Sequence, residues 1–456
     1  MYKVIDKKLI FFFFCYSIIK LVRIRKKLEV KLMIKRDDYL KKIIHNMWNG
    51  EIKVITGIRR CGKSVLLFDI FYEYLLSQGY DDEHIIKIAL DQRKYYKFRN
   101  PIVLCDYIEK LVSKNKDSKY FLLIDEVQFT IKIQDKENDN IEVTIYDMLN
   151  ELKSYKNLDV YVTGSNLKML SKDIVTEFRG RATQIHMYPL SFSEVYSYIG
   201  GDKRDTLNQY MLYGGMPRIM SISEEADKKS YLANLYNEVY VRDIVERNSL
   251  EREDILNAIL DYVASQIGSL TNPTNITNGL ISLRNEKITN TLVSRYLDCV
   301  MDSFLLTLTK RYDVKGKTYF NYPNKYYYCD LGPRNARLNY RQFDPGHIME
   351  NIIYNELVKR GYSVDVGVVV QRKNNEKINR EIDFVVNHGD QRAYIQSAYQ
   401  MESEDKITSE LQSLKLTNDF FKKIVIRMDT PHTFYDENGF CHCNLIDFLL
   451  GDVDIF

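Results

Sequence analysis

Short apolar runs alternate with longer amphipathic stretches through the first half of the chain. This alternation predicts a parallel β-sheet whose strands are connected by helices. The stretch after the first run, SVLLFDIFYEYLLSQ, has helical periodicity and stops at Gly79. A polar insert, 133–143, predicts a surface loop. The predicted strands span 52–57, 84–90, 120–127, 158–165 and 183–190. The first unit is therefore of the α/β class.

The second half of the chain switches between helical and strand-like patterns. Residues 201–249 are mostly helical. Three helical stretches then precede two strand-like runs around the turn VKGK, which is the element order of a winged helix. A last block begins with the helix GHIMENIIYNELVKRG and continues as strands. The chain thus divides into an extension, an α/β core, a helical lid, a winged-helix-like domain and a small α/β domain, over 1–32, 33–200, 201–249, 250–340 and 341–456.

The composition is that of a soluble globular chain, with 45% hydrophobic and 28% charged residues among 456. It excludes collagen, low-complexity disorder and a multi-span membrane protein. The net charge of +3 gives no global field, so any basic site is local. Seven scattered cysteines without a CxxC pair predict a reducing compartment, the cytoplasm.

The apolar run 9–22 is too short for the ~20 residues of a membrane span, and Lys20 interrupts it. No integral span is therefore expected. We interpret residues 1–32 as a flexible extension or the product of a start codon placed too early. A membrane-surface anchor is the alternative.

One motif carries specific chemistry. Residues 57–64, GIRRCGKS, match GxxxxGK[ST] and stand between a predicted strand and a predicted helix. Glycines let the backbone wrap a phosphate, and the helix N-terminus adds partial positive charge. Lys63 would reach the β- and γ-phosphates, and the Ser64 hydroxyl would bind Mg²⁺. The predicted nucleotide-binding residues are Gly57, Arg60, Cys61, Gly62, Lys63, Ser64 and Val65.

Two acids end the strand YFLLIDE. Asp125 and Glu126 would lie at the carboxyl edge of the sheet, where ligands bind in such folds. We predict that Asp125 holds Mg²⁺ and that Glu126 orients or deprotonates the attacking water. An acid directly after the metal ligand favours ATP hydrolysis over kinase chemistry.

Polar residues also follow the next strand, VYVTGSN. Thr163, Ser165 and Asn166 fit either a γ-phosphate contact or a helix N-cap. Arg179 and Arg181 come after the following helix. They fit either an arginine finger or ordinary surface arginines.

These segments, together with YPLSFSEV and YGGMPR, resemble in order the AAA+-type P-loop ATPases of prokaryotes that carry a C-terminal domain of unknown function, number 4143. The resemblance covers about Met33 to Leu449. It implies a P-loop NTPase sheet with a helical lid, a winged-helix segment and a small α/β restriction-endonuclease-like domain. It also implies sensor, finger and second-sensor roles for Asn166, Arg181 and Arg218. A hinge turn is the alternative at Arg218.

The sequence of the winged-helix segment fits either a nucleic-acid partner or a protein partner. Lys310, Arg311, Lys315 and Lys317 cluster on the predicted hairpin and would meet phosphates. The recognition helix offers only Arg295 beside two aspartates, which also fits a protein-docking module.

The terminal domain resembles a nuclease fold that lacks one residue. Glu350 and Asp383 match the metal-binding acids, but the next strand has Gln396 and then Ala398 where the fold requires a lysine. We expect a degenerate fold retained for binding, unless Lys373 or Lys377 replaces the missing ammonium group.

The sequence therefore predicts an Mg²⁺-dependent ATPase that acts as a switch or motor, coupled to nucleic acid through the winged helix. The alternatives are an ATP-controlled signalling or defence scaffold and an ATP-gated nuclease. Candidate partners besides ATP are double-stranded DNA, a protein and a second copy of this chain.

Overall fold

The computed structural model describes residues 34–134, 142–165, 182–284, 286–373, 376–401 and 404–456. The extension 1–32 lies outside these residues, as does most of the polar insert. Within them the predicted α/β class is confirmed, and two sheets organise the chain.

The first sheet is parallel and has five strands in the order β2-β3-β6-β1-β7. The inner strands β1, β3 and β6 are fully buried and rich in Val, Ile and Leu, as expected for a sheet covered on both faces, whereas the edge strand β7 is mostly half-buried. The strands are β1 (Ile52–Thr56), β2 (Ile85–Ala89), β3 (Tyr120–Asp125), β6 (Leu158–Gly164) and β7 (Ala182–His186), and a separate short pair is β4 (Ile133–Gln134) with β5 (Glu142–Val143).

Helices cover this sheet and continue into the lid. The helix after β1, α2, runs through three consecutive stretches, of which the middle one is π-helical. The lid helix α7 is built in the same way. The core helices are α1 (Asp37–His45), α2 (Lys63–Val65, Leu66–Phe71 and Tyr72–Ser77), α3 (Pro101–Val112), α4 (Ile145–Leu152) and α5 (Phe192–Ile199). The lid has α6 (Lys203–Tyr213) and α7 (Glu225–Asn234, Leu235–Val241 and Arg242–Asn248).

Three helices and a hairpin follow the lid, in the predicted order. A bridge between Thr271 and Asn324 joins the loop after the first helix to the hairpin. The helices are α8 (Glu253–Ser265), α9 (Pro273–Arg284) and α10 (Asn290–Asp302), and the hairpin is β8 (Leu306–Asp313) with β9 (Thr318–Tyr328).

The second sheet has eight strands in the order β14-β15-β13-β12-β11-β10-β8-β9. It is mixed: β10 runs parallel to β8 and antiparallel to β11. Its other strands are β10 (Ser363–Lys373), β11 (Glu376–His388), β12 (Gln391–Ala398), β13 (Lys422–Arg427), β14 (Phe434–Tyr435) and β15 (Cys441–Asn444). The helices around it are α11 (Leu331–Arg337), α12 (Pro345–Lys359), α13 (Glu404–Lys415) and α14 (Leu445–Leu450).

This sheet crosses the boundary that the sequence pattern placed between residues 340 and 341. The hairpin expected to belong to a separate winged-helix domain supplies two of the eight strands, because Val366–Val368 of β10 pairs with Arg311–Asp313 of β8. The middle segment and the terminal block therefore share one sheet.

No helix in the described part of the chain is both long and apolar enough to cross a membrane.

Candidate functional site

The loop between β1 and α2 is shaped by its glycines. Gly57 has φ +146°, and a Cβ there would lie 2.1 Å from the Met187 carbonyl oxygen. Gly62 has φ +104° and directly precedes α2. Both positions favour glycine because L side chains rarely adopt these conformations. The loop therefore opens a backbone cradle at the N-terminus of a helix, where an anion is stabilised.

The Lys63 ammonium group closes this loop. It donates to the carbonyl oxygens of Gly57 at 2.9 Å and Ile58 at 3.1 Å. Lys63 is only 3% exposed, so its ammonium charge is held within the loop. Cys61 is fully buried and directs its Sγ to the Met187 carbonyl at 3.6 Å, so its thiol supports the loop.

Asp125 ends β3 beside the loop and has hydroxyl partners. The Thr163 hydroxyl donates to its carboxylate, and the Ser64 hydroxyl also hydrogen-bonds to it. Burial raises the pKa of Asp125, and these two hydrogen bonds partly offset the shift. A hydroxyl and a carboxylate in contact are the oxygen ligands that Mg²⁺ prefers. Ser64 and Asp125 therefore fit such an ion.

Glu126 follows with a left-handed backbone, φ 56° and ψ 54°. Its N–H donates to Thr163 Oγ1 at 2.9 Å. The Gln128 amide donates to its carboxylate, and the Ser165 hydroxyl lies 3.4 Å from the same oxygen. Thr163 thus orients both acids. Non-glycine residues in this conformation are strained and are often found at functional sites.

A cavity of about 750 Å³ joins these groups. The predicted residues Arg60, Cys61, Gly62, Lys63, Ser64, Val65, Asp125, Glu126 and Arg218 line it. Arg218 lies on the lid side of the cavity and donates to Ser221 Oγ at 3.2 Å. Asn166, Arg179 and Arg181 lie outside the described residues.

The lid contributes three residues that sequence reasoning missed. Tyr240 donates its hydroxyl to the Arg59 carbonyl at 3.3 Å. Asp243 pairs with Arg59 at 2.9 Å and with Arg247 at 2.8 Å. Burial raises the pKa of Asp243 and lowers that of Arg247. Their spacing of three and seven residues places them on one helix face, but no motif marks them.

A second cluster lies in the terminal domain, around Glu350 and Asp383. Lys325 of β9 places its ammonium 2.7 Å from Glu350 and 2.7 Å from Glu381. The Tyr327 hydroxyl donates to the same Glu350 oxygen at 2.6 Å. Burial lowers the pKa of Lys325, but the charges of Glu350, Asp383 and Glu381 outweigh it and raise the pKa overall.

This lysine comes from the middle segment. The sequence analysis offered Lys373 or Lys377 as a replacement for the missing ammonium group. The ammonium group beside Glu350 belongs instead to Lys325 of β9, which is 3% exposed. Lys377 is exposed, and the Lys373 side chain lies outside the described part. Gln396 directs its Oε1 toward the Asp383 N–H at 3.5 Å. The strand after Asp383 supplies no ammonium, as its sequence indicates.

The parallel sheet, the glycine loop before α2 and the acids that end β3 define a P-loop NTPase. The model of the family "AAA domain" matches residues 49–196. Two models described as domains of unknown function, DUF8612 and DUF4143, match residues 204–344 and 345–444.

The chain belongs to the family of AAA-domain proteins that carry this C-terminal domain of unknown function 4143. It is 32% identical over 401 residues to an uncharacterized protein of Haemophilus influenzae, covering 87% of this chain and 94% of that protein. It is 28% identical over 459 residues to an uncharacterized protein of Methanocaldococcus jannaschii, covering 96% and 91%.

Similar solved structures include the Aeropyrum pernix ORC1 protein in complex with DNA, with 12% identity, coverage of 67% of this chain and 93% of that chain, and a TM-score of 0.26. Cdc6p from Pyrobaculum aerophilum has 11% identity, coverage of 71% and 96%, and a TM-score of 0.29. At these TM-scores the alignments carry no argument about function.

Proposed function

We propose that this chain is an Mg²⁺-dependent ATPase whose site is the cavity between the phosphate loop, the end of β3 and the lid. The observation that carries the proposal is that the Lys63 loop, Ser64, Asp125 and Glu126 border one cavity. Motif residues that are distant along the chain meet there with the chemistry that phosphoryl transfer requires.

Each residue has a distinct part in the proposed reaction. The Lys63 ammonium, now bonded to loop carbonyls, would transfer its hydrogen bonds to the β- and γ-phosphates. Ser64 and Asp125 would hold Mg²⁺, which would neutralise developing phosphate charge. Glu126 would accept a proton from the attacking water. Gln128 and Ser165 fix the Glu126 carboxylate by their hydrogen bonds.

Two substitutions test these parts by ATP binding and steady-state hydrolysis. Lys63→Ala should lose ATP binding, because the ammonium at the cradle is removed. Glu126→Gln should retain ATP and lose about 10²–10⁴-fold in turnover, the usual contribution of a general base. Glu437→Gln, at an exposed acid of the terminal domain, is the matched control. Turnover at the wild-type rate in Glu126→Gln would refute the assignment of the base.

We also propose roles for the lid residue Arg218 and for the residues Asn166 and Arg181. Arg218 lines the cavity, which supports a second-sensor role over a hinge alone. Asn166 and Arg181 remain the proposed sensor and finger. Arg181 would act within its own subunit or across to a second copy of this chain.

We further propose that the ATPase is coupled to nucleic acid through a winged helix formed by α8–α10 with the β8–β9 hairpin. Lys310, Lys315 and Lys317 are exposed on this hairpin and can meet phosphates. Arg311 is not available for that role, since it is buried over the Phe320 ring.

ATP hydrolysis by the full chain, with and without double-stranded DNA at two salt concentrations, tests this coupling. We expect DNA to stimulate hydrolysis and the stimulation to weaken as salt rises, because phosphate contacts release counterions. Replacing Lys310, Lys315 and Lys317 together by Gln should reduce the stimulation. Hydrolysis that ignores DNA but responds to a copurified protein would instead favour the signalling or defence scaffold.

A second candidate function, metal-dependent phosphodiester cleavage, is favoured by Lys325. The terminal domain lacks a lysine on the strand after Asp383, and a degenerate fold is expected for that reason. Lys325 brings an ammonium to Glu350 and Glu381 from another strand. The acids could hold a divalent cation, and the ammonium could stabilise hydroxide or the phosphate charge.

Cleavage of double-stranded DNA with Mn²⁺ tests this candidate. Cutting should disappear in Asp383→Asn and Lys325→Met and persist in Asp390→Asn, at an exposed turn of the same domain. Loss of cutting in Lys63→Ala as well would indicate control by ATP. Wild-type protein that does not cut would leave the terminal domain as a binding module.

A further inference from the structure

Two consecutive arginines of the phosphate loop, Arg59 and Arg60, border the cavity and have different neighbours in the lid. Arg60 is on the side of Tyr231 and Arg218: burial raises the pKa of Tyr231, and the charges of these two arginines partly offset the shift. Arg59 lies toward the lid helix α7, with NH1 2.9 Å from Asp243 Oδ1. Arg60 and Arg59 therefore have neighbours on different turns of α7, Tyr231 and Asp243.

Asp243 is shared between two guanidinium groups. Arg247 NH2 lies 2.8 Å from its other oxygen, one helical turn further along α7. One carboxylate for two guanidinium groups leaves a net positive charge within this ion triad of Arg59, Asp243 and Arg247. The charge of Glu126 acts on both Asp243 and Arg247. The ion triad therefore lies near the end of the cavity that Glu126 lines.

Arg247 connects the triad to the end of β6. It donates to the Ser165 carbonyl at 3.1 Å and to the Ser165 hydroxyl at 3.3 Å. That hydroxyl in turn faces Glu126. The same part of α7 packs on the end of α10, where Asp243 and Arg247 border a small hollow together with Cys299 and Ser303. A change at Asp243 can therefore reach both the Glu126 carboxylate and the end of α10.

We propose that Arg59 changes partner when ATP binds: the terminal phosphate takes its guanidinium from Asp243, and α7 conveys the loss of that ion pair to α10. The proposal rests on the proposed ATPase function. Arg59 borders the cavity, and its side chain is 30% exposed, so it can turn without leaving a buried pocket. A phosphate bears more charge than a carboxylate and suits bidentate binding by arginine.

ADP lacks the terminal phosphate, so Arg59 keeps its pair with Asp243 when ADP is bound. Arg59 thus determines the preference for ATP over ADP. Asp243 is its resting partner, and Arg247 holds Asp243 in place. The lid helix then senses which nucleotide occupies the cavity.

Calorimetric titration of the full chain with ATPγS and with ADP, both with Mg²⁺, tests the proposal. Arg59→Gln should weaken ATPγS binding about tenfold or more, the value of one charge-assisted contact, and leave ADP binding within about twofold. The control is Arg242→Gln. Arg242 lies on α7 next to Asp243, is 65% exposed and pairs with Glu246. It should leave both affinities unchanged.

Hydrogen exchange of 239–248 and 296–304 supplies a second readout. ATPγS should raise exchange in both segments of the wild type, ADP should not, and Arg59→Gln should remove the difference. Unchanged ATPγS affinity in Arg59→Gln, or equal loss for both nucleotides, would overturn the proposal while leaving the ATPase intact. A wild type that binds neither nucleotide would overturn both, and Lys63→Ala gives the non-binding reference.

Discussion

At the scale of single residues, Gly57 shows how closely the phosphate loop is fitted to its surroundings. A side chain there would meet the Met187 carbonyl oxygen at 2.1 Å, and the backbone has φ +146°. The contact is with backbone, which cannot rotate away. The loop conformation therefore depends on the absence of a Cβ.

We predict that Gly57→Ala destabilises the protein more than Gly79→Ala. Gly79 also has a positive φ, +88°, but a Cβ there would meet nothing within 4 Å. The control should cost about 1–2 kcal/mol, the penalty of a left-handed alanine. Gly57→Ala should exceed it, because the clash is added, and should also lose ATP binding. Urea unfolding followed by Trp48 fluorescence measures both free energies of unfolding, and equal losses would contradict the prediction.

Residue types in a motif could be predicted from the sequence, but their partners could not. GIRRCGKS and LLIDE identify Lys63 and Asp125 by spacing alone. The partners, Asp243 of Arg59 and Lys325 of Glu350, come from other elements, where no pattern marks them. Tertiary packing decides such pairs, so the sequence pattern around Asp383 did not indicate that Lys325 would lie beside Glu350.

At the scale of elements, Asp330 connects the lid to the second sheet. It follows β9 and accepts hydrogen bonds from the N–H groups of Gly215 at 2.6 Å and Gly332 at 3.0 Å. Gly215 stands three residues before Arg218, which lines the cavity. Burial raises the pKa of Asp330 to about 7, and the two N–H groups partly offset the shift.

This shift predicts a pH dependence of stability with a definite sign. The unfolded chain releases the Asp330 proton near its ordinary pKa of 3.8, whereas the folded chain retains it to about pH 7. Over that window the folded state binds more protons, so stability falls as pH rises, by an order of ~4 kcal/mol in total. Above pH 7 both states are ionised and the contribution is constant.

Urea unfolding of wild type and Asp330→Asn between pH 4 and pH 8 measures this contribution. The advantage of the wild type over the variant should decrease up to about pH 7 and then level off. Asp390→Asn, in an exposed turn, should follow the wild type in parallel. A wild-type advantage that does not change with pH would contradict the prediction.

Strands and helices could largely be predicted from periodicity, but the sheet that a hairpin joins could not. The β8–β9 hairpin follows from its turn and alternation. Its edge offers unpaired N–H and C=O groups to any strand of suitable geometry, and the sequence does not indicate which strand pairs with it. The pairing of β8 with β10 is therefore a tertiary result.

At the scale of the whole molecule, the ATPase core and lid are tied to the rear of the chain. Lys359 pairs with Glu194 of the core at 3.0 Å. Asn335 donates to the Met211 and Leu212 carbonyls of the lid at 2.9 and 3.0 Å. These contacts, with Asp330, join segments that the sequence pattern divides. Independent domain unfolding would require all of them to break.

We therefore predict one cooperative unfolding transition for the described body. The chain has a single tryptophan, and Trp48 packs on Phe121 of the first sheet, so its fluorescence reports the ATPase core alone. Far-ultraviolet circular dichroism reports all elements. The two midpoints in urea should coincide, as two-state unfolding requires. ATPγS with Mg²⁺ should raise both midpoints equally, because a ligand of the folded state stabilises the whole cooperative unit.

Lys63→Ala should show coincident midpoints without the shift, since its cradle no longer binds nucleotide. A circular dichroism transition that continues after the Trp48 signal is complete would show that the second sheet unfolds independently. A nucleotide shift confined to the Trp48 signal would show the same independence. In either case the ion triad and Asp330 would be contacts without energetic coupling, and ATP at the first sheet would have no route to the second. Coincidence of both signals is what a switch operating through α7 and α10 requires.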